Sequence, residues 1–170
     1  MVTAAPTFEE LFRSAKRSAV HLEMRDGYMR DADFEEWQAG NRFDPAERWR
    51  SWFDLMRATT HRGVVVRRAR IVSEPISDYI RFEYDVTASH NVAAGESVRW
   101  LPRKKASAIA LPGNDFWLFD GEAVLFNHFA GNGDMLAEEY VTDPSAVELC
   151  GSAFEAVWDR AIPHEDYRPV

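Results

Sequence analysis

The sequence predicts an α/β fold, with mixed α+β as the alternative. It reads as one domain over residues 1–170, with a mixed sheet, a βαβ-like core, a C-terminal β-hairpin or meander, and flanking helices. Three observations point there. A β-branched apolar run, residues 64–66 and 71–72, lies between two stretches of helical periodicity, as an interior strand buried on both faces would. Apolar segments at 116–119 and 123–129 flank Asp120-Gly121, a strong hairpin signal. At 170 residues the chain is long enough for one substantial core and short for two.

The elements follow in order. Thr7-Phe8-Glu9-Glu10 is a capping-box pattern, so a helix is expected from Phe8, with Phe8, Leu11, Phe12, Ala15 and Ala19 on its buried face. From Val20 the period becomes two: Val20, Leu22 and Met24 alternate with His21, Glu23 and Arg25, predicting a half-buried strand that ends near Asp26-Gly27. Asp33 is placed to cap a short helix through Ala39, with Gly40 as its stop. Asp44-Pro45 opens a longer helix whose apolar stripe is Trp49, Trp52, Phe53 and Met56, and that periodicity assigns both tryptophans to the core. Gly63 ends it and the apolar strand follows.

Ser73-Glu74-Pro75 looks like the start of the next helix, with Ile76, Tyr79, Ile80 and Tyr84 at helical spacing. A strand at 97–101, read as parallel to the first, would complete the βαβ unit. The hairpin, a further turn at residues 131–134 and a third antiparallel strand at 135–141 come after it. Asp143-Pro144 then starts a closing helix lined by Val147, Cys150, Phe154, Val157, Trp158 and Ala161, and Pro163 stops it.

Composition narrows the function. The formal net charge of −8 argues against general nucleic-acid affinity, but the charge is uneven. Residues 62–105 hold nine Lys or Arg against five Asp or Glu (+4), and residues 106–170 hold two against twelve (−10). Either the two regions pair across the fold or the basic region forms a local anion site. No apolar stretch approaches the ~18 residues of a membrane span, and the first twelve residues lack a signal-peptide pattern, so a cytoplasmic location is expected. The single cysteine, Cys150, excludes an internal disulfide and reads as a packed thiol.

Arg67, Arg68 and Arg70 interrupt the apolar strand. A buried cation must meet carboxylates, reach solvent or hold an anionic ligand. Arg68 and Arg70 share a strand face, and with Arg99 and Arg103 they form the candidate anion-binding constellation, guanidinium being suited to phosphate or carboxylate. Pairing with Asp or Glu inside the protein is the competing explanation. The sequence carries no Walker loop, dinucleotide glycine fingerprint, nucleophile elbow or His-Glu-x-x-His helix, and its five histidines are widely spaced; no cofactor or metal is expected.

Leu22-Glu23, residues 67–75, Tyr79-Ile80-Arg81-Phe82-Glu83-Tyr84, Gly95-Glu96, Arg99-Trp100-Leu101-Pro102-Arg103, residues 115–120 and Phe154-Glu155-Ala156-Val157-Trp158 together resemble a family of small actinobacterial proteins carrying a domain of unknown function. Members are often encoded beside helix-turn-helix regulators, which implies a regulatory or partner-binding role. The order of elements, ending in a Phe-x-x-x-Trp helix, is also similar to the phospholipase-D-like fold. Enzymes of that fold use His-x-Lys-x-x-x-x-Asp, and no histidine of this chain has Lys two positions on. The resemblance thus implies a binding derivative without the phosphodiesterase mechanism.

The expected function is a non-enzymatic cytoplasmic regulatory or partner-binding domain, with a small anionic ligand at the arginines or a helix-turn-helix regulator as partner. The alternative is a hydrolase or transferase acting on a phosphorylated or acidic small molecule, with His128, Asp120 or Glu83 as acid or base. Direct nucleic-acid binding fits poorly. A monomer–homodimer equilibrium is left open, with Trp37, Trp100 and Trp117 as the aromatics available to an interface.

Overall fold

The computed structural model describes residues 5–28 and 31–170. Helix α1 (Phe8–Ser14) starts on the predicted capping box: the Glu10 N–H donates to Thr7 Oγ1 at 3.3 Å and the Thr7 N–H to Glu10 Oε2 at 2.8 Å. It ends before Ala19, which the periodicity had assigned to the same helix. The Asp120 carboxylate receives the backbone N–H groups of Lys16, Arg17 and Ser18, at 2.9, 2.7 and 2.9 Å, and draws the chain into strand β1 (Ser18–Glu23). β1 is buried on both faces rather than one, because helices pack on both sides of the sheet, Val20 and Leu22 facing one layer and Ala19 the other.

Helix α2 (Ala32–Gln38) is capped by Asp31, two residues earlier than the sequence suggests; the Phe34 N–H donates to Asp31 Oδ1 at 2.6 Å. Asp33 instead accepts from the Trp49 indole at 2.7 Å and from Arg48. The single long helix expected after Asp44 is two, α3 (Pro45–Arg48) and α4 (Arg50–His61), separated where Trp49 leaves the helical conformation (φ −111°, ψ 43°). Gly63 follows α4 at φ +90°, and β2 (Val65–Val72) runs beside β1 in parallel, from Ser18 opposite Val65 to Glu23 opposite Arg70.

Helix α5 (Asp78–Thr87) begins at Ser77, which caps Ile80, and not at Ser73. Both the N–H and the hydroxyl of Ser73 donate to Asp26, so that residue ties β2 to the end of β1 instead of opening a helix. A π turn (Ala88–Val92) leads to β3 (Ser97–Pro102), parallel to β2 as the sequence suggests. The remaining strands, β4 (Phe116–Phe119), β5 (Ala123–Phe129) and β6 (Met135–Val141), form the predicted antiparallel meander, with β4 antiparallel to β1. Asp120 and Gly121 make the first turn, both with positive φ. Helix α6 (Pro144–Arg160) is capped by Asp143, and after it a two-residue strand, β7 (Ile162–Pro163), pairs with the free edge of β3.

The result is a single domain of mixed α+β content around one mixed seven-stranded sheet, in the order β6-β5-β4-β1-β2-β3-β7. Strand alternation gives it two unlike faces. On one face Val20, Leu22, Ala69, Ile71, Leu118 and Val124 pack against Cys150, Phe154 and Val157 of α6. The other carries α1 and α4 over Leu11, Phe12, Met56, Val66 and Phe119, and a small cluster of Val72, Ile80, Trp100 and Tyr167 at its far side. Between those two clusters this second face is polar.

The turn into β3 supplies a backbone constraint. Gly95 has φ +99°, and a Cβ there would lie 2.6 Å from Thr60 Oγ1. Gly95→Ala is expected to cost at least about 1 kcal/mol, read as a lower urea midpoint with unchanged slope, whereas Gly113→Ala, with open space around it, leaves the midpoint nearly in place.

Candidate functional site

The polar zone is a buried ion network. His21 and Glu23 of β1, Arg68 and Arg70 of β2, and Trp117 of β4 all project from the same face, as their odd-even spacing and cross-strand register require. Arg68 donates from Nε to Glu96 Oε2 at 2.8 Å and from Nη1 to Glu23. Arg70 donates from Nε to the other oxygen of Glu23 at 2.5 Å, from Nη2 to Glu83 Oε2 at 2.6 Å and from Nη1 to Thr87 Oγ1 at 2.7 Å. The Asn91 amide secures Glu96 at 3.0 Å. One carboxylate thus bridges two guanidiniums, and each guanidinium has a second carboxylate of its own. The network joins β1 and β2 to α5 and to the π turn.

Burial taxes these charges, and their partners decide which survive. Burial alone would raise Glu23, but Arg70 and Arg68 outweigh it and hold its carboxyl well below the ordinary carboxylate range. Glu96 is lowered in the same way, by Arg68 against its own burial. Glu83 goes the other way: burial dominates, Arg70 opposes, and the nearby Glu23 carboxylate adds to the rise. His21 is held from both sides, Nδ1 donating to the Phe116 carbonyl at 2.8 Å and Nε2 facing Glu23 at 3.2 Å, with its ring stacked on Trp117 at 4.3 Å. Beneath, Tyr28 donates a short hydrogen bond to Asp115, and burial lifts both groups above their ordinary values.

Over the network opens a cleft of about 490 Å³. One wall is a mutually packed group of Phe8, Trp52 and Trp117; another is Tyr28, Tyr79 and Phe129. Trp49 and His90 stand in edge-to-face contact at 5.0 Å, while Asn127, Met135 and Glu138 form part of the lining from β5 and β6. His90 is 7% exposed, and its Nε2 is the buried side-chain polar atom left without a hydrogen bond among the described residues.

The four arginines singled out in the sequence do not converge. Arg68 and Arg70 meet, but Arg99 points to the opposite face, where it donates to the Trp158 carbonyl at 3.0 Å and lies over the Trp158 ring at 4.4 Å. Strand alternation is the reason: Arg99 sits opposite Ala69, not Arg70. Arg103 lies beyond the end of β3, donating to Ser73 Oγ and to the Met24 and Ile71 carbonyls. Of the acid–base candidates only Glu83 lines the cleft. Asp120 holds three backbone amides at the hairpin, and His128 pairs with Glu139 on the surface at 2.9 Å.

His21, Glu23 and Glu96 are members of the network that charge and spacing did not single out. Alternation of His21 and Glu23 within an apolar strand was the available signal. Trp49 and Trp52 are half-buried wall residues rather than plain core, and Trp100 and Trp117 are buried. Cys150 is buried under the sheet, its thiol pushed up to about 11 by burial. Among the described residues no group of three or more His, Cys, Asp or Glu could hold a metal ion, and no helix is long and apolar enough to cross a membrane.

Arg68→Met or Arg70→Met strands buried carboxylates and is expected to cost about 3–5 kcal/mol in urea unfolding. Arg67→Met, which loses an ion pair to the half-exposed Glu155 on the other face, costs under about 1 kcal/mol. His90 supplies a pH signature. Burial lowers its pKa from 6.5 to about 4, so the native state binds a proton less readily than the unfolded chain. Its stabilising contribution is complete above 6.5 and is lost as pH falls towards 4. His90→Phe should flatten the stability-versus-pH curve across that window relative to the parent.

Comparison with known proteins adds fold and family. No functionally curated protein matches the chain. Among solved structures 37 chains match. One is Nuc, a phospholipase D family member from Salmonella typhimurium, similar at a TM-score of 0.53 and 13% identity over 94% of this chain and 88% of that one. At that identity the likeness is one of fold alone. Over residues 6–169 the sequence matches the family described as Domain of unknown function (DUF6879), and the chain belongs to that family.

Proposed function

We propose that this chain is a non-enzymatic, cytoplasmic ligand-binding domain whose occupancy is read by a partner protein, a helix-turn-helix regulator being the partner suggested by the family resemblance. The observation that carries this is the cleft. It is concave, about 490 Å³, and aromatic on more than one side, with a few convergent polar groups at its floor, as small-molecule sites are. The floor is preorganised, because the ion network fixes each polar side chain through several elements at once.

The groups in the cleft are arranged to hold rather than to react. Arg70 and Arg68 already occupy both oxygens of Glu23, and His21 has an oxygen partner at each ring nitrogen. The lone cysteine is buried on the other face. A hydrolase or transferase is the second reading, favoured by one observation: Glu23 and Glu83 share Arg70 yet are pushed in opposite directions, the pattern by which an acid and a base are separated.

A thermal-shift screen of amines, nucleosides, carboxylates and phosphorylated metabolites checks the first reading. A true ligand at ~100 times its dissociation constant adds about 2.7 kcal/mol. The shift is expected to shrink in Phe129→Ala, which removes an aromatic wall residue, while that variant still unfolds cooperatively. If the ligand is consumed by the parent and not by Glu83→Gln, the enzymatic reading replaces it.

A further inference from the structure

Resting on the ligand-binding reading, we propose that the cleft selects an organic cation, a protonated amine attached to an aromatic or bulky apolar group, and not the anion that its arginines suggest. Charge in the network runs against an anion. Three carboxylates, Glu23, Glu83 and Glu96, contact the two guanidiniums, Arg68 and Arg70, and Glu23 also faces His21 Nε2 at 3.2 Å, so each guanidinium is already matched by carboxylates. An anion would have to displace buried carboxylates from those guanidiniums. A cation would meet Glu83, of which Arg70 takes one oxygen.

Of the three, Glu83 is the carboxylate most exposed to the cleft. Glu96 is sealed from solvent, whereas the Glu83 side chain keeps 20% of its surface and is bound to Arg70 through a single oxygen. A second carboxylate, Glu138, stands in the lining on β6 with no cation paired to it among the described residues. Glu138 lies opposite Asn127 of β5, which also lines the cleft, so a cation in the cleft would meet its carboxylate. The aromatic faces of the walls attract cations through their quadrupoles, and the protein already uses this at the floor, where Arg68 lies 5.2 Å from the Trp117 ring.

Three probes of one shape and different charge test the proposal by isothermal titration: phenethylammonium, 2-phenylethanol and phenylacetate. The amine is expected to bind at least tenfold tighter than the alcohol, with phenylacetate weakest. Glu83→Gln should bring the amine close to the alcohol without moving the alcohol. Glu138→Gln, on an exposed strand where folding is not at stake, should weaken the amine several-fold, and Glu139→Gln, on the opposite face of β6, should not. Phenylacetate binding as tightly as the amine would overturn the proposal. So would equal affinity for all three, which would leave an apolar cleft without charge selection. Absence of binding by all three also sinks it, while the ligand-binding reading itself falls only if the broad thermal-shift screen is empty as well.

Discussion

The Glu23 carboxylate between Arg68 and Arg70 is the interaction on which the rest of the molecule depends. Two arginines in the middle of a central parallel strand are a severe desolvation problem, and a buried carboxylate beside them is another. Together, with Glu83, Glu96, Asn91 and Thr87, they resolve each other, because nearly every donor in the set has an oxygen within hydrogen-bond distance. The partners come from β1, α5, the π turn and the loop before β3, so the network clamps the β2–β3 crossover and strand β1 to one point. An apolar replacement would pack the strand, but it would not fix α5 and the π turn at these positions.

The two faces of the sheet divide the work. Under α6 the packing is dominated by apolar contact, and its arginines, Arg67 and Arg99, lay their guanidiniums on Phe154 and Trp158 at the helix edge. The other face has helices over only part of its area. Where α1 and α4 stop and α5 begins, the network and the aromatic walls are left open to the cleft. A site on that face is supported by rigid strands from below and by helices at its rim, an arrangement that holds polar groups in place without a ligand.

Similarity of fold to a phospholipase D family member, at 13% identity, carries no chemistry with it. A fold is a scaffold, and its sites are carried by particular side chains. This chain has no His-x-Lys-x-x-x-x-Asp sequence, and the polar residues of its cleft are arginines locked to glutamates beneath aromatic walls. Both guanidiniums of its floor are already matched by carboxylates, which distinguishes it from a phosphate site.

Local signals in the sequence determined most of the elements. The capping box at Thr7, the Asp-Gly hairpin at residues 120–121 and the Asp143-Pro144 helix start are set by interactions within a few residues, and the β-branched run around Arg68 marks its strand directly. The misplacements share one cause. Ser73, Asp33 and the end of α1 each had a locally plausible role, and each was claimed by a residue distant in sequence: Asp26, Trp49 and Asp120 respectively. The two-residue strand β7 was invisible because so short a segment has no period. The arginines were legible as a problem, since buried cations require partners whatever the fold. Their solution was not. Which of 28 acidic residues answers them depends on register and on which side of each strand a side chain emerges, and a sheet sets that only when its strands are paired. Tertiary structure alone therefore joined Arg68 and Arg70 to Glu23, sent Arg99 to the other face, and turned two tryptophans of an apolar helical stripe into the wall of a cleft.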